Sequence, residues 1–140
     1  MKNDQKIAER AAQALFGGDQ ASQMLGMKIE SCGPGRATVS MRIRPDMVNG
    51  HRICHGGLIF ALADSAFAFA CNTQGRIAMS IENGITYPRP VGPGDVLTAV
   101  ATEESASYRL GFYRVVVTNQ KDETVAIFRG TAYKTSQEHP

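Results

Sequence analysis

Neither a membrane-length apolar run nor a marked excess of one charge appears in this 140-residue chain. A helical membrane span requires roughly 20 consecutive apolar residues, and no stretch comes that far, so no crossing is expected. The formal net charge of +2 is too small to suggest a nucleic-acid partner or a membrane surface. A few well-placed arginines would still suffice to hold an anionic ligand. Cysteine is scarce. Cys32, Cys54 and Cys71 are an odd number without metal-type spacing, which fits reduced thiols better than a disulfide framework. The opening MKNDQKIAER lacks the apolar region of a secretory signal, so a cytoplasmic location is expected. The three histidines, His51, His55 and His139, do not have ligand spacing either, and no metal site is expected.

Apolar residues make up 43% of the chain and charged residues 20%, which places it among ordinary globular proteins. A chain of this length buries roughly 70% of its unfolded surface, enough for one domain over residues 1–140. Residues 3–16 carry Ile7, Ala11, Ala14 and Leu15 at helical spacing, and Gly17–Gly18 is expected to stop that helix. Residues 1–20 therefore read as an N-terminal helix with its linker. IESCGPGRATVSMRIR reads as a hairpin around Gly33–Pro34–Gly35, with Ala37, Val39, Met41 and Ile43 on one face of the returning strand. Thr38, Ser40, Arg42 and Arg44 take the other face, so the sheet is expected to be buried on one side.

A helix follows at about 57–71, then strand patterns return. IAMSIENGITY runs into Pro88-Arg89-Pro90, Gly92-Pro93-Gly94 marks a loop, and DVLTAVATEE alternates less cleanly. YRLGFYRVVVTNQ and TVAIFRGTAYK flank the turn Lys121–Asp122–Glu123 as a terminal hairpin. The polar TSQEHP at 135–140 reads as a loose tail. No repeat, linker or low-complexity segment breaks the series. Helix, two strands, one apolar helix and four strands make an α+β plan, an antiparallel sheet curled around a single helix.

The central stretch NGHRICHGGLIFALADSAFAFACN, residues 49–72, poses the functional question. A helix apolar on every side is surrounded by protein. Ala61, Ala63, Ala66, Ala68 and Ala70 let neighbouring backbone approach, and only Asp64 and Ser65 break the pattern. An ionised carboxylate in such a place is costly, and the usual outcome is a partner or a raised pKa. Asp64 is thus a candidate general base or nucleophile, and a loop cap or an ion pair with a strand arginine is the structural alternative. Gly56 and Gly57 suit a tight turn. They also open a buried helix whose free amides and positive dipole end suit an anionic oxygen.

The segments N-G-H-x-x-C-H-G-G and L-A-D-S-A-F-A-F-A-C-N-x-x-G, followed by a strand ending Y-P-R-P and a later F-R-G, resemble the hotdog-fold acyl-coenzyme A thioesterases, in particular the phenylacetate-degradation group. The likeness runs from about Ala21 to Lys134. It implies a curved antiparallel sheet wrapped around the central helix, with chains paired edge to edge into homodimers and often stacked into homotetramers. It also implies an acyl-CoA substrate, aryl or arylacetyl, and no separate cofactor.

Carried onto this chain, the family roles give Gly56 as the amide that polarises the thioester carbonyl. Asp64 acts from the partner subunit, and Asn49 stands at the assisting position. Asn49 is equally a turn residue of Asn-Gly type. His55 either fixes the loop or reaches the leaving sulfur, while His51 reads as solvent-facing. Gly57 would give the acyl group clearance. Ser65 or Ser80 would hold the water, since Ala68 stands where one family group carries a threonine. Tyr87 and Arg89 at the strand end, the Ser105–Arg109 stretch with Arg109, and Arg129 before Gly130 are candidate coenzyme A contacts, Arg89 and Arg129 for its phosphates. Met47, Phe67 and Phe69 would line an acyl pocket or belong to the core. Cys54 beside His55 is not read as a nucleophile, because chain neighbours rarely point at one another. Rival readings on the same fold are a hydratase or dehydratase of acyl thioesters, and a non-catalytic acyl-CoA binding module.

Overall fold

The computed structural model describes residues 2–140. Helices α1 (Lys2–Gly18) and α2 (Gln20–Met24) precede strands β1 (Lys28–Gly33) and β2 (Arg36–Arg42). A 3-10 turn at Pro45–Met47 leads into helix α3 (Gly56–Cys71). Strands β3 (Arg76–Thr86), β4 (Val96–Ala106), β5 (Leu110–Thr118) and β6 (Thr124–Glu138) complete the chain. All six strands form one antiparallel sheet in the order β1-β2-β4-β5-β6-β3.

Helix α3 packs against every strand of that sheet. Six strands about 4.8 Å apart span roughly 24 Å, whereas a helix is only ~10 Å across. Both edges therefore reach α3 only because the sheet curves around it, which is the arrangement expected from the sequence.

The period-two pattern explains which face turns inward. Ala37, Val39 and Met41 of β2, Leu97, Ala99 and Ala101 of β4, and Val115 and Val117 of β5 are buried against Leu62, Ala63, Ala66, Phe67 and Ala70 of α3. Full burial of a side chain such as Leu62 or Phe67 stabilises the fold by about 2 kcal/mol relative to exposure. Gly130 lets β6 come close to the helix. A Cβ there would lie 2.9 Å from the Phe67 ring, so any side chain would displace either the ring or the strand.

Three features depart from the sequence reading. Helix α1 continues through Gly17 and Gly18, and the break falls at Asp19. Asp19 caps α2, a helix of five residues too short to show periodicity. The segment 135–140 is not a loose tail, because β6 extends to Glu138. Thr135 Oγ1 donates to the Ile77 carbonyl at 2.6 Å, and the His139 N–H donates to the Gly75 carbonyl at 2.8 Å. Those anchors are largely backbone groups, so the polar composition gives no sign of them.

Candidate active site

The entry to α3 is a set of short backbone ties. The Cys54 N–H donates to Val91 O at 2.7 Å, and the His55 N–H donates to Met47 O at 2.8 Å. They hold His55 in extended backbone as the N-cap of the 16-residue helix. His55 Nδ1 accepts the Gly57 N–H at 3.0 Å, so the neutral ring carries its own hydrogen on Nε2. Gly57 is thereby explained from within the chain. A Cβ there would lie 3.1 Å from His55 Nδ1, and its amide is already used. The Gly56 N–H, by contrast, meets no acceptor among the described residues. It is a free donor at the positive end of the helix dipole. Tyr87 lies against Gly56 and donates its hydroxyl hydrogen to the Gly56 carbonyl at 2.7 Å.

Asp64 sits two turns further along the same helix and is half-buried. No ion pair engages it among the described residues, so the alternative of a strand arginine neutralising it is not what the fold builds. Its one side-chain partner among the described residues is Asn83 of β3, whose Nδ2 donates to Asp64 Oδ1 at 3.3 Å. Burial pushes the carboxyl above the usual aspartate range, and the nearby Asp19 carboxylate pushes it further in the same direction. The site thus presents a proton acceptor of enhanced basicity, and a free amide donor eight residues earlier. At 1.5 Å per residue the two lie about 12 Å apart along one helix.

The remaining candidates are distributed unevenly. Asn49 closes its own loop, with Oδ1 accepting the His51 N–H at 2.9 Å and the Ile53 N–H at 3.4 Å. Its Nδ2 stays available as a donor. Ser65 Oγ lies 2.9 Å from Ser22 Oγ, and Ser22 in turn donates to Asp19 Oδ2 at 2.6 Å. Ser80 donates to Asn83 Oδ1 at 3.0 Å. The three arginines are not brought together within one chain. Arg89 pairs with Glu123 at 3.0 Å near the β5–β6 turn. Arg109 contacts the Tyr133 hydroxyl at 3.3 Å at the other end of β5, and Arg129 is exposed on the outer face of β6. Arg129 borders a cavity of about 540 Å³ with Gly84, Ile85, Thr86 and Ile127.

Met47, Phe67 and Phe69 are all buried in the core. Burial raises the Cys54 thiol to about 11 and the Cys71 thiol to about 12, so neither is a thiolate at neutral pH. Asn83, Asp19 and Ser22 were not legible as site neighbours, because nothing in their local sequence marks them.

Residues 51–126 match the family model described as the thioesterase superfamily. The chain belongs to that superfamily. The acyl-coenzyme A thioesterase PaaI of Escherichia coli is 42% identical to this thioesterase over 123 residues, 88% of each chain. A putative esterase of Archaeoglobus fulgidus is 33% identical over 135 residues, 96% of this chain and 88% of the relative. Among solved structures, the E. coli PaaI protein from the phenylacetic acid degradation operon superposes with a TM-score of 0.94 at 39% identity. The match covers 96% of this thioesterase and 97% of that chain. The phenylacetic acid degradation protein PaaI of Thermus thermophilus, in a mutant form, gives 0.81 at 39% identity over 84% and 100% of the two chains. The thioesterase therefore has the hotdog fold, and its activity class is thioester hydrolysis.

Proposed function

We propose that this thioesterase hydrolyses acyl-coenzyme A esters, with aryl and arylacetyl groups as its acyl substrates, in the cytoplasm. The observation that carries the mechanism is that one helix holds a Gly56 N–H without an acceptor and a half-buried Asp64 without a cationic partner, both among the described residues. The Gly56 amide holds the carbonyl oxygen, and Asp64 takes a proton from the attacking water. Hydroxide adds to the carbonyl carbon, the oxyanion collapses, and the coenzyme A thiolate leaves. A thiol with an ordinary pKa near 8.5 is a good leaving group without an acid to assist it. In the nucleophilic variant Asp64 attacks first and water then cleaves the anhydride. Label found in Asp64 after single turnover in 18O-water marks the second route, since only water attacking the Asp64 carbonyl of an anhydride puts it there. The step needs water alone, without metal or cofactor. Asn49 Nδ2 is a further donor for the carbonyl or the water, and the His55 Nε2–H is the donor on the side of the leaving sulfur. The aryl preference rests on the likeness to PaaI proteins of phenylacetic acid degradation.

The separation of about 12 Å between donor and base supports a site shared by two chains, because both must lie within ~3 Å of the reacting atoms or a bridging water. A two-fold axis beside α3 brings Gly56 of one copy to Asp64 of the other. Strand β3 is a free sheet edge with Met79 and Ile81 61% and 59% exposed, which suits edge-to-edge pairing of a homodimer, and a homotetramer by further stacking. The test combines Asp64→Asn with a variant disabled in the Asn49–Gly56 loop. Refolded together, about half the dimers are mixed, each with one intact site of two, so about a quarter of wild-type activity returns. A mixture as inactive as its parents, with mixed dimers seen by mass spectrometry, refutes the shared site. Thiol release across aryl, arylacetyl and straight-chain CoA esters tests the acyl preference, and binding without release would leave a binding module instead.

A further inference from the structure

Strand β3 contains one residue more than its partner β6 at the level of Asp64. Ser80 lies opposite Ala132 and Asn83 opposite Gly130, so three steps on β3 match two on β6. In a regular strand, residues three apart face opposite ways. The extra residue, Ile81, breaks the phase, and both Ser80 and Asn83 then share the inward face that Ala132 and Gly130 occupy on β6. Bulges of this kind re-aim a side chain, and here the side chain is Asn83.

We propose that Asn83 is a positioning residue for Asp64, holding one carboxylate oxygen by its amide so that the other is presented to the reacting water or carbonyl. The inference rests on the catalytic reading of Asp64. Ser80 completes the device. Its hydroxyl donates to Asn83 Oδ1 at 3.0 Å, which orients the amide so that Nδ2, the donor, faces Asp64 Oδ1 at 3.3 Å. Asp64 Oδ2 has no partner among the described residues, and it is the oxygen that carries the chemistry. Ser80 acts on the site through Asn83 and has its hydrogen committed there, which differs from a direct hold on the water.

An amide suits this place better than a cation. An arginine would also fix the carboxylate, but its charge would hold the acid low and blunt it as a base. A neutral donor orients Asp64 at a smaller cost in basicity. The charged group that acts electrostatically on Asp64 is Asp19, the N-cap of α2, and Asp64 in turn raises the Cys71 thiol of its own helix. Lys134 of β6 acts on Cys71, and Glu103 of β4 is bonded to Tyr113 of β5 at 2.9 Å. Glu82 lies opposite Thr131, on the outer face.

Asn83→Ala should lower kcat about tenfold with little change in KM, because orientation of the base is lost while substrate contacts remain. It should also move the acid limb of the kcat profile to higher pH, since a donor that favours the charged carboxylate is gone. Asn83→Asp keeps the shape, removes the donor and adds a like charge, so it should shift the limb further in the same direction. Ser80→Ala should give a smaller shift of the same sign. Wild-type kcat and an unmoved acid limb in either Asn83 variant would overturn the proposal, and the isosteric Asn83→Asp decides it should the alanine variant fold poorly. Asp64→Asn measured beside them separates the two readings. An active Asp64→Asn sinks the catalytic role of Asp64 itself, whereas an inactive one with indifferent Asn83 variants sinks only the positioning role.

Discussion

The Tyr87 hydroxyl, just beyond the end of β3, donates to the Gly56 carbonyl in the first turn of α3, 31 residues away in sequence and 2.7 Å away in space. The far end of β3 thereby fixes the peptide next to the proposed oxyanion donor. Tyr87→Phe removes one neutral hydrogen bond, worth about 1 kcal/mol of stability. It should also lower kcat more than KM, since the donor is then less well aimed. Urea unfolding and steady-state kinetics check both. Loss of stability with unchanged kcat would mean that Tyr87 only secures the helix.

Replacing Gly57 with Val places a Cβ 3.1 Å from His55 Nδ1 and displaces the capping ring. Loss of the cap should cost about 1 kcal/mol. Activity should fall with it, because the first turn then loses its fixed direction. A variant of wild-type stability would show that the cap contributes little, and wild-type KM would remove Gly57 from the acyl path.

Asp64 should make the folded protein less stable at neutral pH. Its carboxyl is raised in the fold, by burial first and Asp19 second. A raised group favours the folded state below its unfolded pKa of about 3.9, and that contribution is lost as pH rises through the folded value. Asp64→Asn should therefore raise Tm at pH 7 and have little effect near pH 3. In the active enzyme, Asp19→Asn should move the acid limb of kcat to lower pH by removing a like charge. An upward shift, or none, would contradict the electrostatic role of Asp19.

Cys54 and Cys71, with thiols raised to about 11 and 12, should resist iodoacetamide in the native enzyme and react once it is unfolded. Cys54→Ala should keep turnover. An inactive but folded Cys54→Ala would reopen the cysteine route.

The sequence made the strand faces readable wherever strict alternation holds, as at Ala37, Val39 and Met41. The apolar helix around Asp64 was equally plain, because a lone acid among alanines and phenylalanines stands out. What stayed hidden depends on irregularity. Asn83 looks outward by alternation from Ser80, and only the bulge at Ile81 turns it in. Helix α2 is too short for a period, and the strand beyond Lys134 is built of polar residues whose partners are largely backbone. The Arg89–Glu123 pair joins segments far apart in the chain, and neither residue signals the other.

The surplus residue in β3 makes this stretch sensitive to number as well as to kind. Deleting Ile81 would restore regular alternation, and Ser80 and Asn83 could no longer both face α3. If Ser80 keeps its place, Asn83 and Ile85 turn to solvent. If Ile85 keeps its seat opposite Phe128, Ser80 and Ala78 turn out instead. Substitutions at Ile81, which is already exposed, leave the phase intact. Ile81 is thus a spacer whose presence matters to Asp64 more than its identity does, and a frame error of one peptide there would disarm Asp64 without touching it.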